Sequence, residues 1–419
     1  MGTALEWYDY FIYGAAAAIV FGPLFFPNYS AVAGTLAAFA TYSVGFFARP
    51  LGGVLMGHFG DRIGRKPMLI LSILTVGGAT FCVGLLPTYA TIGVWAPILL
   101  VVLRFVQGLG VGGEWSGAVL MATEHAPARR RNLYGSFPQM GVPAGVILAN
   151  LAFLLVSRSV SPEAFVAWGW RVPFLLSAVL VIGGLIIRRA VTESPEFVAA
   201  KSDGKAQAAP LIEVLKTARP QIVLGAGCMI GTGTLGYVLS LYVLSYTTGP
   251  LGLERNTILT FTLISAALWM VVTPWASSLA DRVGQKRVLL IGGVGLAAST
   301  ASLFPLLDTR SYPLILVAML LIATFVAVTY GPVAALLTDL FEPRVRYSGT
   351  SLAYQIGTIL GGGLAPTVAT ALFARTGASY PIGIYLTVLT LISLLSVAMV
   401  FRRGLIVRTP SPGLAAKLS

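Results

Sequence analysis

Twelve apolar runs divide the chain, each long enough to cross a membrane, and that pattern leaves few folds open. They fall at about 4–26, 34–56, 68–90, 97–121, 133–157, 169–190, 220–246, 257–279, 287–307, 312–338, 347–373 and 381–401. A bilayer core of about 30 Å needs about 20 helical residues. Inside lipid every backbone N–H and C=O must find a partner within its own segment, so the runs read as helices and not as open strands. Composition agrees: 56% of residues are hydrophobic and 10% charged, where a soluble domain carries roughly a quarter charged. The first run is longer than the apolar region of a signal peptide and lacks a basic lead, so it too reads as a span. The expected fold class is an all-α integral membrane protein of twelve transmembrane helices.

The net charge of +13 could point to nucleic acid. Its placement points elsewhere. If the loop after the second run is cytoplasmic, the loops on that side hold 21 of the 28 Lys and Arg residues. The opposite side holds Arg158, Arg171, Arg255, Arg310 and Arg375, and Arg49 and Arg104 lie inside runs. That asymmetry orients the chain with both termini cytoplasmic and removes the nucleic-acid reading. Cys82 and Cys228 both sit in apolar runs, and His58 and His125 in separate loops. No disulfide framework, metal site or cofactor is expected from them. The longest polar stretch, 191–218, separates a half at 1–190 from a half at 219–402, with a tail at 403–419. Its composition predicts a mobile or surface-lying linker.

The halves echo one another. Asp61-Arg62-Ile-Gly64-Arg65-Lys66 after the second run returns as Asp281-Arg282-Val-Gly284-Gln285-Lys286 after the eighth, 220 residues on. The basic loop Glu124 to Arg131 is answered by Phe341 to Arg346, and Gln139-x-Gly141-x-x-x-Gly145 by Gln355-x-Gly357-x-x-x-Gly361. Three echoes in one order imply a duplication of six spans. Large secondary transporters are built this way, with the substrate between the repeats near the bilayer midplane.

The Asp61-Arg62-x-Gly64-Arg65-Lys66 loop resembles the signature loop of the major facilitator superfamily, and the likeness extends over the whole chain. The resemblance implies a cytoplasmic gate. Its Asp would cap a neighbouring helix and its basic residues pair with acids, roles that pass to Asp61, Arg62, Arg65 and Lys66 and, more weakly, to Asp281 and Arg282. A bland alternative is a turn whose charges only hold the loop inside. Further motifs are Glu6-Trp7-Tyr8-Asp9-Tyr10 with Tyr13-Gly14, Arg49-Pro50-Leu-Gly52-Gly53, Arg104-Phe-Val-Gln107 to Glu114-Trp115, and Glu193-Ser-Pro-Glu-Phe197. Together they resemble the metabolite:proton symporters of that superfamily, and the first half is similar to shikimate permeases. Members move carboxylates such as shikimate, oxoglutarate and citrate, or zwitterionic osmolytes such as proline and betaine.

Charges within a membrane are costly and usually functional. Five lie in spans, all in the first half: Glu6, Asp9, Arg49, Arg104 and Glu114. Counting helical rise, Asp9 lies about 9 Å, Arg49 about 6 Å and Glu114 about 8 Å inward of their spans' midpoints. A shared level predicts a carboxylate–guanidinium cluster for proton coupling, formed by Asp9, Glu6, Arg49 and Glu114. A static ion pair is the alternative. Arg104 lies about 15 Å from Glu114 along the helix, with no acid of spans one, two or four at its level. Arg104 and Gln107 are therefore candidates to bind a carboxylate substrate, with Arg104 as a helix brace the other reading. Tyr13, Tyr237, Tyr330, Tyr354 and Gln355 are further substrate-binding candidates, together with Ser240, Tyr242 and Trp269. Tyr and Trp also populate interface belts. The glycines at 108, 110, 112, 113 and 117 and at 357, 361, 362 and 363 predict close helix approach. No strand precedes them, so a dinucleotide fingerprint fails.

These readings predict symport of a small anionic metabolite with protons, by a monomer in the lipid bilayer. An osmolyte symporter or a drug exporter of the same fold are alternatives. No nucleophile–base pair supports an enzyme.

Overall fold

The computed structural model describes residues 2–63, 65–112, 114–127, 129–190, 210–342 and 345–407. The side chains of Glu6, Asp61, Arg62, Arg65, Lys66 and Glu114 lie outside the described residues, as does the whole of Glu193–Phe197.

All regular structure among the described residues is helical. Ten helices are long and apolar enough to span: Trp7–Phe25, Ala31–Leu55, Trp95–Glu124, Arg131–Ser159, Arg219–Thr248, Arg255–Val283, Gln285–Asp308, Tyr312–Asp339, Arg346–Thr376 and Tyr380–Arg402. Shorter apolar helices at Ile70–Leu85 and Gly169–Gly183 occupy the third and sixth places. Numbered in chain order these are spans 1 to 12. Large apolar side chains such as Phe47, Val102, Val179, Val271, Ile291 and Ile384 are exposed, as a lipid-facing surface requires.

The duplication is visible in the packing. In the first half span 1 packs on span 5, 2 on 4, 3 on 6 and 3 on 4. In the second half span 7 packs on 11, 8 on 10, 9 on 12 and 9 on 10. Between halves, 5 meets 8 and 2 meets 11. The glycines make the closest of these approaches. A Cβ on Gly108 would lie 2.2 Å from the Gly45 carbonyl oxygen, and one on Gly112 would lie 2.1 Å from the Gly53 nitrogen. Spans 2 and 4 therefore touch backbone to backbone. In the second half, Gly361 meets the Ile230 carbonyl in the same way, at 2.5 Å.

Three π-helical turns fall at Ala17–Phe21, Val238–Tyr242 and Ile359–Gly363, in spans 1, 7 and 11. The end of the expected linker is a helix, Pro210–Thr217, that packs on the start of span 11 with Val214 fully buried. The tail does likewise: the Val407 amide donates to the Asp339 carbonyl at 2.7 Å, at the end of span 10.

Candidate functional site

The centre of the molecule, between the halves, holds a cavity of about 20 Å³, room for roughly one water. Trp7, Phe11 and Val142 wall it from the first half, and Met229, Thr232, Tyr237, Trp269, Tyr330 and Tyr354 are among the residues that wall it from the second. Rings crowd inward because spans 1 and 7 are packed tightly here. Tyr237 lies 6.2 Å from Trp7 and 5.3 Å from Phe46, between ring centroids. Tyr237, Tyr330 and Tyr354 thus meet at one place. Trp269 joins them, while Ser240 bonds the Gly236 carbonyl within its own helix and Tyr242 lies away among Tyr246 and Phe304.

The other substrate-binding candidates lie elsewhere. Tyr13 shares a 2.8 Å hydrogen bond with Thr41 inside the first half. Arg104 donates to Gln107 at 3.1 Å and to the Tyr42 carbonyl at 3.3 Å, and Gln107 donates to Thr80 at 2.6 Å. Gln355 lies below the cavity, donating to the Gly112 carbonyl at 2.9 Å.

The buried charges are arranged differently from the shared cluster that rung counting predicts. Asp9 interacts with Thr80 and Arg104, and one of its carboxylate oxygens, Oδ1, has no partner. Arg49 instead lies among rings, its guanidinium carbon 5.2 Å from the Trp7 centroid, 4.1 Å from Tyr10 and 4.4 Å from Phe46. Its Nε donates to the Tyr10 hydroxyl at 3.1 Å. No ion pair joins Asp9 to either arginine among the described residues. Rung counting places only Cα atoms, and a long arginine side chain carries its charge well away from its own rung. Gly45 supplies the space: a Cβ there would lie 2.7 Å from Arg104 Nε and 3.0 Å from the Tyr10 hydroxyl.

Toward the end that carries the basic loops, the halves are clasped in repeat-related pairs. Gln139 donates to the Tyr330 carbonyl at 2.8 Å, the counterpart of Gln355 on Gly112. Trp115 donates to Gln139 at 2.7 Å and stacks on Tyr354 at 3.6 Å between centroids. Below them Arg131 pairs with Asp339 at 3.0 Å and Arg346 with Glu124 at 3.7 Å. Asp281 accepts from the amides of Asn132 and Leu133, at 3.0 and 2.9 Å, and from the Asn132 side chain at 2.9 Å. A carboxylate there satisfies free first-turn amides and favours the positive end of the helix. Asp281 thus caps the start of the helix Arg131–Gln139, whereas Arg282 is exposed and makes no ion pair among the described residues.

At the opposite end Ser157 donates to Asn256 at 2.9 Å, and Arg255 lies 5.0 Å over the Phe165 ring. Glu254 caps span 8. Its slight burial opposes ionisation, but hydrogen bonds from Thr257 and Asn256 and the charge of Arg158 hold its carboxyl below the usual range. With both ends bridged, the cavity is occluded.

Sequence motifs had singled out Trp7 and Trp115 without a role for them. Thr80 and Phe46 carry no pattern that marks them, and Tyr10 falls within a motif but without a role, because their part depends on which helix faces which.

Comparison with known proteins fits this geometry. Residues 2–366 match the Major Facilitator Superfamily. The chain is 44% identical over 403 residues to the inner membrane metabolite transport protein YhjE of Escherichia coli K12, covering 94% of this chain and 91% of that one. It is 40% identical over 405 residues to the shikimate transporter of the same organism, covering 94% and 90%. Against the proline/betaine transporter of Salmonella typhimurium it is 34% identical over 406 residues, covering 94% and 81%. A crystal structure of a D-xylose-proton symporter superposes with a TM-score of 0.76 at 20% identity, over 97% of this chain and 96% of that one. The chain therefore belongs to the Major Facilitator Superfamily and is a multi-pass membrane transporter, not an enzyme.

Proposed function

We propose that this protein is a proton-coupled symporter of a small organic acid in the bacterial inner membrane, working by alternating access. The observation that carries the reading is Asp9, buried on span 1 with one carboxylate oxygen unpartnered, in the field of Arg104 and two residues from Trp7 of the cavity wall. An ionised Asp9 attracts the Arg104 guanidinium, and a protonated one releases it. Proton arrival therefore changes a contact between spans 1 and 4, and span 1 supplies Trp7 and Phe11 to the cavity wall. Rocking of the halves breaks the clasps at one end while the other end stays closed. By the repeat, the gate includes Asp61, Arg62, Arg65 and Lys66 on the cytoplasmic side, opposite in the duplication to Asp281. One chain supplies both walls of the cavity, which supports a monomer as the working unit.

The names of two relatives support a carboxylate-bearing substrate, since shikimate, proline and betaine all carry one. A zwitterionic osmolyte is a second reading, favoured by the aromatic wall of Trp7, Trp269 and Tyr330, because such rings attract quaternary ammonium groups. Uptake into proteoliposomes under an imposed inward proton gradient tests the coupling. The gradient should drive accumulation in the wild type and fail to do so in Asp9→Asn. Uptake indifferent to both would contradict symport.

A further inference from the structure

Arg49 is 1% exposed, and its Nη2 has no hydrogen-bond partner. An unpartnered donor on a buried cation is expensive to leave unmade. Three rings hold the guanidinium, and one of them, Trp7, lines the cavity. Tyr237 of the second half packs on Trp7 and Phe46, two of the same rings, and its hydroxyl is also buried without a partner. Each half thus offers one unpartnered donor here: Tyr237 lines the cavity, and Arg49 lies against the Trp7 ring of its wall. The cavity at about 20 Å³ is too small for any metabolite, so a substrate must displace rings to enter. Trp7 and Tyr237 are the rings whose movement would open the space toward Nη2.

The same guanidinium is linked to the proton site. Arg49 and Arg104 both lie against Tyr10, with guanidinium carbons 4.1 and 3.9 Å from its centroid, and Arg49 also bonds its hydroxyl. Tyr10 follows Asp9 in the chain, so a shift of Arg104 toward or away from Asp9 must be felt at the ring that holds Arg49.

We propose that Arg49 anchors the substrate's carboxylate in a subsite closed here by Trp7 and Tyr237, and that Tyr10 is the positioning residue joining this anchor to Asp9 and Arg104. The proposal rests on the symport reading above, but it concerns equilibrium binding, so the two fail separately. It also exchanges the parts that the sequence suggested, with Arg104 serving coupling and Arg49 the substrate.

The test uses purified full-length protein and ligand-induced thermal stabilisation, with shikimate, benzoate and glycine betaine, each beside its methyl ester. At least one acid should stabilise the wild type, and its ester should not. Arg49→Gln should weaken acid binding by about 10- to 100-fold, the worth of a charge-assisted hydrogen bond. Arg49→Lys should recover part of that loss. Tyr237→Phe keeps the ring and so the packing, and should weaken binding about 5-fold. Tyr10→Leu should flatten the pH dependence of acid affinity, which a purely structural role would leave in place. Stabilisation by esters as strong as by acids, by none of the acids, or unchanged in Arg49→Gln and Tyr237→Phe, overturns the anchor. An unaltered pH profile in Tyr10→Leu overturns the link.

Discussion

At the residue scale, the centre depends on one missing side chain. Gly45 leaves room for the Arg104 guanidinium and the Tyr10 hydroxyl. Gly45→Val should push Arg104 from its place and cost about 1–3 kcal/mol, the range for overpacking a filled interior, read as a lower unfolding temperature with loss of transport. Gly108→Ala should be at least as harmful, because its Cβ would meet backbone and not a movable side chain. If Gly45→Val transported normally, the tight cluster drawn around Tyr10 would be wrong. The sequence named the members of this cluster better than their partners. Asp9, Arg49 and Arg104 stand out because charge is rare in a span. Their pairing was hidden, because a rung number fixes a Cα height and says nothing of rotation about the helix or of where a long side chain ends. Tyr10 and Thr80 had no charge to mark them.

At the scale of elements, the capped helix is the clearest device. Asp281 accepts three hydrogen bonds at the start of Arg131–Gln139, joining the loop after span 8 to the first half. Asp281→Ala should remove about 2 kcal/mol from the state closed at this end. A single cysteine placed on the cavity wall should then react faster with a thiol reagent added from the basic-loop side. Asp281→Asn, which keeps fewer acceptors, should fall between. Labelling at the wild-type rate in Asp281→Ala would show that the cap does not hold the gate. Twelve spans and their duplication were legible, since lipid leaves helices as the one choice and the loop motifs recur at fixed offset. The π-helical turns and the helix Pro210–Thr217 were not. Their hydrogen-bond registers are decided by neighbours, not by local residue preference.

At the scale of the molecule, two repeat-related glutamines hold the halves together beneath the cavity. Each neutral hydrogen bond contributes about 1 kcal/mol. Gln139→Ala with Gln355→Ala should together shift the balance toward opening at this end by about 2 kcal/mol, roughly 30-fold in population. Distances between spin labels on spans 5 and 10 would report it; an unchanged distribution in the double variant would remove the clasp from the account. The duplication could be read from sequence, but not the occluded state. That state reflects which of several packings of the same two halves is lowest in free energy, and residue periodicity within a span is equal in all of them.

Symport requires that substrate and proton cross together, with Asp9 carrying the proton. Proteoliposomes loaded with a pH-sensitive dye, with a transported acid added outside and no gradient imposed, put this to the test. The wild type should acidify the interior as substrate enters, and Asp9→Asn should not. Substrate entry without acidification in the wild type, or undiminished acidification in Asp9→Asn, would contradict the claim.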